Sequence, residues 1–189
     1  MKLSASDPPI ENWQIDELLA QLASSLSAFL TLHNRPKPVL IGLHRGGVWV
    51  ARALHQLLGE QFKLEAPVGS LDISFYRDDF ATAGLQGGTQ ASSLPVDIDG
   101  KHLVLIDDIL YTGRTIRAAM NELFDYGRPA SITLVVLIER DGRELPIQAD
   151  CVAARIKLPA NQVLKLSQNP KGKLELVLHE RTGAQGANR

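Results

Sequence analysis

The stretch of sequence that decides the fold reads Val104-Leu105-Ile106-Asp107-Asp108-Ile109-Leu110-Tyr111-Thr112-Gly113-Arg114-Thr115-Ile116. The stretch begins with the apolar run Val104-Leu105-Ile106, which is typical of a buried parallel strand. Such a strand delivers Asp107 and Asp108 to its carboxyl end. Ligands of open α/β sheets bind at that end. Residues 112–115 then supply hydroxyls, a permissive glycine and N–H groups at a helix N-terminus, which together form a phosphate cradle. Carboxylate acceptors beside a phosphate cradle predict a site for a phosphorylated ribose.

A purely structural interpretation of the same residues is the alternative. The two carboxylates would then end a strand and cap the following helix, with Thr115 as an ordinary N-cap. An Asp-Asp pair alone favours this interpretation, whereas the whole run 104–116 favours the ribose phosphate site.

Outward from this stretch, the hydrophobic periodicity alternates between helical and strand patterns. Helical spacing predicts helices over 12–33, from a Gly46-Gly47 turn to Gly59, and from near Thr115 to Gly127. Short apolar runs predict strands at 39–43, within 67–76, at 103–106, at 132–138, at 151–157 and at 174–178. This alternation predicts the α/β class, with an open, mostly parallel sheet flanked by helices.

Composition limits the kind of protein this is. A chain of 189 residues fits a single domain, 1–189, and its formal net charge of −1 argues against charge-driven, sequence-independent nucleic-acid binding. The lone Cys151 excludes an internal disulfide, and we expect it to be a small buried hydrophobe. The first residues lack the apolar core of a secretory signal, and no apolar run reaches the ~20 residues that span a bilayer. We therefore expect a soluble cytoplasmic protein with no membrane contact.

The run 104–116 resembles the signature of the type I phosphoribosyltransferases, which bind 5-phosphoribosyl-1-diphosphate (PRPP). Further segments resemble the PyrR family, the bifunctional regulators of the pyr operon with uracil phosphoribosyltransferase activity. They are 67–79, 94–98, 126–132 and Glu139-Arg140-Asp141-Gly142-Arg143-Glu144-Leu145-Pro146-Ile147-Gln148-Ala149-Asp150. The resemblance extends from about Leu40 to about Val163. It implies the type I phosphoribosyltransferase fold, with a small hood over the base site at about 139–160 plus the C-terminal segment.

The resemblance also implies how PRPP is held. The whole run 104–116 would bind it, with Asp107 and Asp108 on the ribose 2′ and 3′ hydroxyls and residues 112–115 on the 5′-phosphate. The pyrophosphate loop would consist of His44, Arg45, Gly46 and Gly47.

Two further roles follow from the same resemblance. Arg77, which counts with the two aspartates as catalytic, would reach the pyrophosphate from a flexible loop at about 77–93 that closes over the site. Arg140 would line the base pocket.

The implied reaction joins uracil to PRPP and gives uridine 5′-monophosphate (UMP) and pyrophosphate. Mg²⁺ would neutralise the diphosphate while held mostly by substrate oxygens, so no dedicated protein metal site is expected. The implied partners are PRPP, uracil and UMP, and the implied assembly is a homo-oligomer, a dimer or higher.

Several alternatives stay open. The chain has Asp141-Gly142-Arg143 where RNA-binding relatives commonly carry Gly-His-Arg, Gln148 where they often have arginine, and Ala153-Ala154 in place of Gly-Lys. Fewer cations mean fewer phosphate contacts, so RNA binding is an open possibility. The protein is either an active enzyme or mainly a nucleotide-sensing regulator with weak or no catalysis. Within the enzyme class, a purine or orotate phosphoribosyltransferase is the alternative to the uracil enzyme.

Overall fold

The computed structural model describes residues 13–59, 62, 64, 66–73 and 91–180. Within these residues the helices are α1 (Ile15–Leu32), α2 (Gly46–Gly59) and α3 (Arg114–Tyr126). The strands are β1 (Val39–Leu43), β2 (Gly69–Leu71), β3 (His102–Leu110), β4 (Ser131–Arg140), β5 (Cys151–Ile156), β6 (Gln162–Gln168) and β7 (Leu174–Glu180).

Strands β1 to β5 form one parallel sheet in the order β2-β1-β3-β4-β5, and β6 and β7 form a separate antiparallel pair. From β1 the chain builds the sheet in both directions, with β2 on one side and β3 on the other. The strand order therefore reverses between β1 and β3, which is the switch point where open α/β sheets bind ligands. A parallel sheet flanked by helices confirms the predicted class.

Helices cover both faces of this sheet, and alternate residues of β3 show how. Val104 and Ile106 are buried in one cluster with α1 and α2, whereas Leu103 and Leu105 are buried in another with α3. None of these four side chains has solvent exposure. A strand that is apolar on both faces is what a parallel sheet between two helical layers requires.

Helix α1 is long and apolar enough, by length and composition, to meet the criterion for a membrane span. Its apolar side nevertheless has partners within the fold, because Leu22 and Leu26 are fully buried and α1 packs against α2, β4 and β5. Its other side is exposed and carries polar residues such as Gln21 and Ser25. This amphipathic arrangement is that of a core helix in a soluble domain.

The structure differs from the sequence prediction at two places near the site. The Gly46-Gly47 pair is not a turn before α2; it forms the first two residues of the helix. A Cβ on Gly47 would lie 2.4 Å from the carbonyl oxygen of Ile106, so only glycine lets the helix begin this close to β3. Strand β2 covers only Gly69–Leu71 of the predicted 67–76, of which residues 74–76 lie outside the described residues.

Strand β6 was missed by the sequence prediction. Leu164 and Leu166 are buried while Lys165 between them is exposed, which is the alternation of a half-buried strand. That signal is present in the sequence, but it is short and interrupted by lysine.

Candidate active site

The two carboxylates lie at the switch point of the sheet. Strand β1 pairs with β3 only as far as the Gly42 to Ile106 pair, whereas β3 stays paired with β4 as far as Leu110 opposite Glu139. Asp107 and Asp108 therefore come directly after the point where β1 stops pairing with β3, on a strand that stays paired with β4. The prediction placed them at the end of the strand, and the structure extends β3 beyond them to Leu110.

The carboxylates of Asp107 and Asp108 lie in different surroundings. Asp107 is 4% exposed, and its Oδ1 accepts a hydrogen bond from the Asp108 backbone N–H at 3.0 Å. Asp108 is partly exposed and faces the start of α2, where a Cβ on Gly46 would lie 2.2 Å from Asp108 Oδ2. One carboxylate is thus fixed by the backbone, while the other borders the crevice.

The loop between β1 and α2 forms the opposite wall of the crevice. A non-proline cis peptide joins His44 and Arg45, and the His44 backbone N–H donates to the carbonyl of Leu71 at 2.9 Å. Burial lowers the pKa of His44; the charge of Asp72 opposes this shift, and the nearby arginines, including Arg45, add to it. A lowered pKa favours the neutral imidazole, so the positive charge of this loop resides on the exposed Arg45.

Residues 112–115, which the sequence predicts to be a phosphate cradle, lie at the start of α3. Gly113 is the N-cap residue and adopts the left-handed conformation at φ 95°, while the Arg114 backbone N–H donates to Thr112 Oγ1 at 3.3 Å. Thr115 lies inside the helix, so the alternative in which it acts as the N-cap is wrong. Helix α3 begins just after the carboxyl end of β3, so its first N–H groups lie at the crevice end of the sheet, as an anion site requires.

Residues 141–149, the part of the predicted hood that lies between β4 and β5, pack against the cradle. From here on, the name hood means these residues alone. The backbone N–H groups of Glu144 and Leu145 both donate to the carbonyl of Thr112, at 3.0 and 3.1 Å. The guanidinium of Arg143 donates to the carbonyl of Tyr111. The hood thus contacts consecutive residues of the cradle loop.

Arg140 is the last residue of β4, and its side chain contacts Tyr111, which directly precedes the cradle. It is only 7% exposed, and its guanidinium carbon lies 4.1 Å from the centre of the Tyr111 ring. Its Nη1 donates to the carbonyl of Gln162 at 3.2 Å, and its buried Nε has no hydrogen-bond partner among the described residues. A buried cation with an unused donor is costly, which favours a ligand that supplies an acceptor.

The structure brings most of the predicted site residues together. The two aspartates, the loop 44–47 and the cradle 112–115 meet at the crevice. Several predicted PRPP-binding residues are instead buried in the core as support: Val104, Leu105, Ile106, Leu110 and Ile116. Arg77 and most of the predicted loop 77–93 lie outside the described residues. Within the segment 139–160, Cys151–Ile156 is the edge strand β5 of the main sheet.

One group of residues in the site was missed from the sequence. Glu139 accepts from Arg143 at 2.8 Å through one carboxylate oxygen and from Arg155 at 2.9 Å through the other. Glu139 and Arg155 are direct partners in the register of β4 and β5. The sequence does not reveal the register between β4 and β5, so it gives no signal for charge pairing across these strands.

Comparison with known proteins agrees with this geometry. Residues 11–163 match the family described as the phosphoribosyl transferase domain. The bifunctional protein PyrR of Pseudomonas fluorescens is 53% identical over 160 residues, which cover 85% of this chain and 93% of that protein. The bifunctional protein PyrR of Nitrosococcus oceani is 51% identical over 154 residues, which cover 81% of this chain and 85% of that protein.

Solved structures share the fold at lower identity. A hypoxanthine phosphoribosyltransferase of Trypanosoma cruzi aligns with a TM-score of 0.61 at 23% identity, over 79% of this chain and 76% of that chain. The enzyme named HGPRT-ase of Leishmania tarentolae, solved with GMP, aligns with a TM-score of 0.59 at 18% identity, over 77% and 78%. Fold, site geometry and the curated relatives agree, and the chain belongs to the PyrR family of type I phosphoribosyltransferases.

Proposed function

We infer that the protein is a uracil phosphoribosyltransferase that makes UMP and pyrophosphate from uracil and PRPP, and that it takes part in regulating pyrimidine biosynthesis genes. The relatives named bifunctional protein PyrR, at 53% and 51% identity, support both parts. The observation that carries the enzymatic part is the position of Asp107 and Asp108, between the β1–α2 loop and the start of α3.

The reaction needs positioning more than it needs a reactive side chain. Uracil N1 forms a bond to ribose C1′ and loses its proton, while the bond from C1′ to pyrophosphate breaks and its electron pair leaves with pyrophosphate. The chain's contribution is to orient the reactants, to stabilise charge on the departing pyrophosphate and to exclude water. No nucleophilic serine or cysteine is required.

Asp107 and Asp108 are proposed to accept hydrogen bonds from the ribose hydroxyls, and the 112–115 cradle to bind the 5′-phosphate. The carboxylates are acceptors in a crevice, which suits hydroxyl donors. The N-terminus of α3 presents N–H groups and the positive end of its dipole, which suits a dianion. Only residues 109–111 separate Asp108 from the cradle, a spacing suited to a single phosphorylated sugar.

The pyrophosphate is proposed to bind at the β1–α2 loop. Helix α2 begins at Gly46 with its N-terminus facing Asp108, and Arg45 supplies an exposed cation next to it. Neutral His44 can donate a hydrogen bond without adding charge. Arg77 is proposed to add a second cation, on the strength of the family resemblance.

Arg140 is proposed to line the base pocket. Its unused Nε and its stacking on Tyr111 place a donor and a flat surface close to the cradle. Uracil carbonyl oxygens are acceptors that suit such a donor, and the ring suits stacking.

Mg²⁺ is proposed to arrive with PRPP, and the residues present fit that role. Among the described residues no group of three or more His, Cys, Asp or Glu side chains is placed to hold a metal ion. Asp107 and Asp108 offer oxygen atoms, which Mg²⁺ prefers, while most of its ligands would be diphosphate oxygens and water. When bound, the ion neutralises the charge that develops on pyrophosphate.

The assembly and the regulatory partner are proposals as well. A homo-oligomer, a dimer or higher, would cover exposed apolar side chains such as Leu32 and Tyr126, which are 81% and 53% exposed. Action on pyrimidine gene expression implies a cytoplasmic protein. RNA is a candidate partner, whose affinity should fall steeply with salt if phosphate contacts dominate.

The function is tested by incubating the purified protein with labelled uracil, PRPP and Mg²⁺ and measuring UMP. Hypoxanthine and orotate are assayed in parallel. Formation of UMP alone supports the proposal, whereas turnover of hypoxanthine or orotate in place of uracil would assign another base. No turnover with any base, by a folded protein that binds UMP, would identify a nucleotide sensor.

A further inference from the structure

The hood hydrogen-bonds to two successive carbonyl groups of the cradle loop. The Tyr111 carbonyl accepts from the Arg143 guanidinium, and the Thr112 carbonyl accepts from the backbone N–H groups of Glu144 and Leu145. Tertiary contacts from a separate segment therefore fix the orientation of both peptide groups. A Cβ added to Gly113, the next residue, would lie 3.4 Å from Leu145 Cβ and 3.5 Å from Ile147 Cβ of the hood.

The geometry of the trans peptide determines where the other side of these two groups points. In a trans peptide the C=O and the following N–H point in opposite directions. Among the described residues the His44–Arg45 bond is the only cis peptide. The Tyr111–Thr112 and Thr112–Gly113 peptides are therefore trans. With both carbonyls directed at the hood, the N–H groups of Thr112 and Gly113 point away from it.

We propose that Arg143, together with the hood backbone at 144–145, is a positioning element for the 5′-phosphate site. It holds the N–H groups of Thr112 and Gly113 toward the phosphate of the ribose ligand. The inference rests on the proposed function, because it assumes that this cradle binds the 5′-phosphate. Donors that are fixed before binding contribute more than donors that must reorient.

Arg143 is itself held in place by Glu139, which forms ion pairs with both Arg143 and Arg155. Glu139 Oε1 accepts from Arg143 Nη2 at 2.8 Å, and Glu139 Oε2 accepts from Arg155 Nε at 2.9 Å. The side chains of Arg143 and Glu139 are 23% and 19% exposed, so this pair is largely shielded from water. Arg155 binds the second oxygen of Glu139, which restricts the orientation of the carboxylate toward Arg143.

Loss of Arg143 would free the Tyr111 carbonyl. The peptide group could then rotate and turn its carbonyl oxygen toward the phosphate. An oxygen in place of an N–H group repels an anion, so phosphate affinity would fall although no residue that touches the phosphate has changed.

The test uses two probes that engage different parts of the site, ribose 5-phosphate for the cradle and inorganic pyrophosphate for the β1–α2 loop. Binding of each to the full chain is measured by titration calorimetry. Arg143→Ala should weaken ribose 5-phosphate binding by about tenfold and leave pyrophosphate binding within about twofold of wild type. Arg143→Lys, which keeps the charge but loses the planar fork, should recover only part of the loss.

Arg128→Ala is the matched control. Arg128 also donates its guanidinium to backbone carbonyls, those of Phe124 and Gly127, but at the far end of α3. This variant should bind both probes like wild type. Thermal unfolding of each variant shows whether the fold has survived, and a global loss of structure would weaken both probes rather than one.

Glu139→Ala separates positioning from simple electrostatics. If charge alone mattered, removal of a carboxylate near an anion site would strengthen phosphate binding. If Glu139 positions Arg143, its removal weakens binding of ribose 5-phosphate, and Glu139→Gln, which keeps an acceptor for Arg143, recovers most of the affinity. Tighter binding by Glu139→Ala would overturn the proposal.

The outcome also distinguishes this inference from the proposed function. Wild-type protein that binds neither ribose 5-phosphate nor PRPP would refute the proposed function itself. Wild-type binding of ribose 5-phosphate that is unchanged in Arg143→Ala would refute only the positioning role.

Discussion

Gly46 and Asp108 are so close that a single methyl group cannot fit between them. A Cβ on Gly46 would lie 2.2 Å from Asp108 Oδ2 and 2.5 Å from its Cγ. Because Gly46 begins α2 and Asp108 lies on β3, this contact sets the separation of the proposed pyrophosphate loop and the proposed ribose acceptors. The width of the crevice is therefore determined by the absence of one side chain.

Gly46→Ala should displace the carboxylate of Asp108 and impair catalysis. We expect a destabilisation of about 1–3 kcal/mol from overpacking, together with a higher KM for PRPP. Gly59→Ala, at the other end of the same helix, is the matched control, since a Cβ there meets no atom of the described residues within 4 Å. Steady-state kinetics and denaturant unfolding of both variants are compared, and a Gly46→Ala enzyme with wild-type KM would contradict the close packing.

Asp108→Asn should abolish most turnover with little effect on folding. The amide keeps the size of the side chain but loses the negative charge that is proposed to accept from the ribose hydroxyl, so we expect kcat/KM to fall by about 100-fold. Asp125→Asn, an exposed position near the end of α3, serves as the control. Wild-type activity in Asp108→Asn would show that the ribose site has been placed wrongly.

Arg77→Ala should likewise abolish turnover. Arg77 is outside the described residues, and its expected role is to stabilise the departing pyrophosphate from a closing loop. The loss should appear in kcat more than in the melting temperature, because the expected role is charge stabilisation in the transition state rather than packing. Full activity of the variant would remove Arg77 from the site.

Arg140→Met should affect binding and stability differently. Loss of the Nε donor and of the stacked guanidinium should raise the KM for uracil by about tenfold, whereas the KM for PRPP should change less. Replacement of a buried cation by an apolar side chain of similar length should change the free energy of unfolding by only about 1 kcal/mol. A strongly destabilised variant with an unchanged KM for uracil would mean that Arg140 is purely structural.

The lowered pKa of His44 predicts a pH dependence of stability. The folded state disfavours the protonated imidazole, so the unfolded chain binds more protons once the pH falls toward and below 6.5, the ordinary value for histidine. The free energy of unfolding should therefore decrease as the pH falls through that window. In His44→Gln this part of the pH dependence should vanish; an identical pH profile of the free energy of unfolding in both proteins would argue against the shift.

Cys151 should be inert in the folded protein. Burial, with a smaller effect from Asp150, raises the pKa of its thiol to about 11, so almost no thiolate exists at pH 8. A thiol reagent such as Ellman's should react only after unfolding in guanidinium. Rapid labelling of the native protein would show that the cysteine is more accessible than its 5% exposure indicates.

The sequence predicted the sheet and the centre of the site because both depend on local patterns. Each apolar run of β1, β3 and β4 can be recognised within a few consecutive residues, and so can the glycine at 113. The Glu139–Arg155 pair and the hood contacts with Tyr111 depend on strand register and on packing between distant segments. Gly46 and Gly47 look like a turn in sequence, and only the close approach of β3 explains why glycines start a helix.

Strand β3 remains paired with β4 beyond both aspartates, as far as Leu110. The backbone of the two proposed ribose acceptors is therefore ordered when the protein folds rather than when the substrate arrives. Fixing a residue's backbone costs about 1–2 kcal/mol, and that entropy is already lost in the free enzyme. A sugar that binds to this strand does not have to order it, so more of its interaction energy remains as affinity.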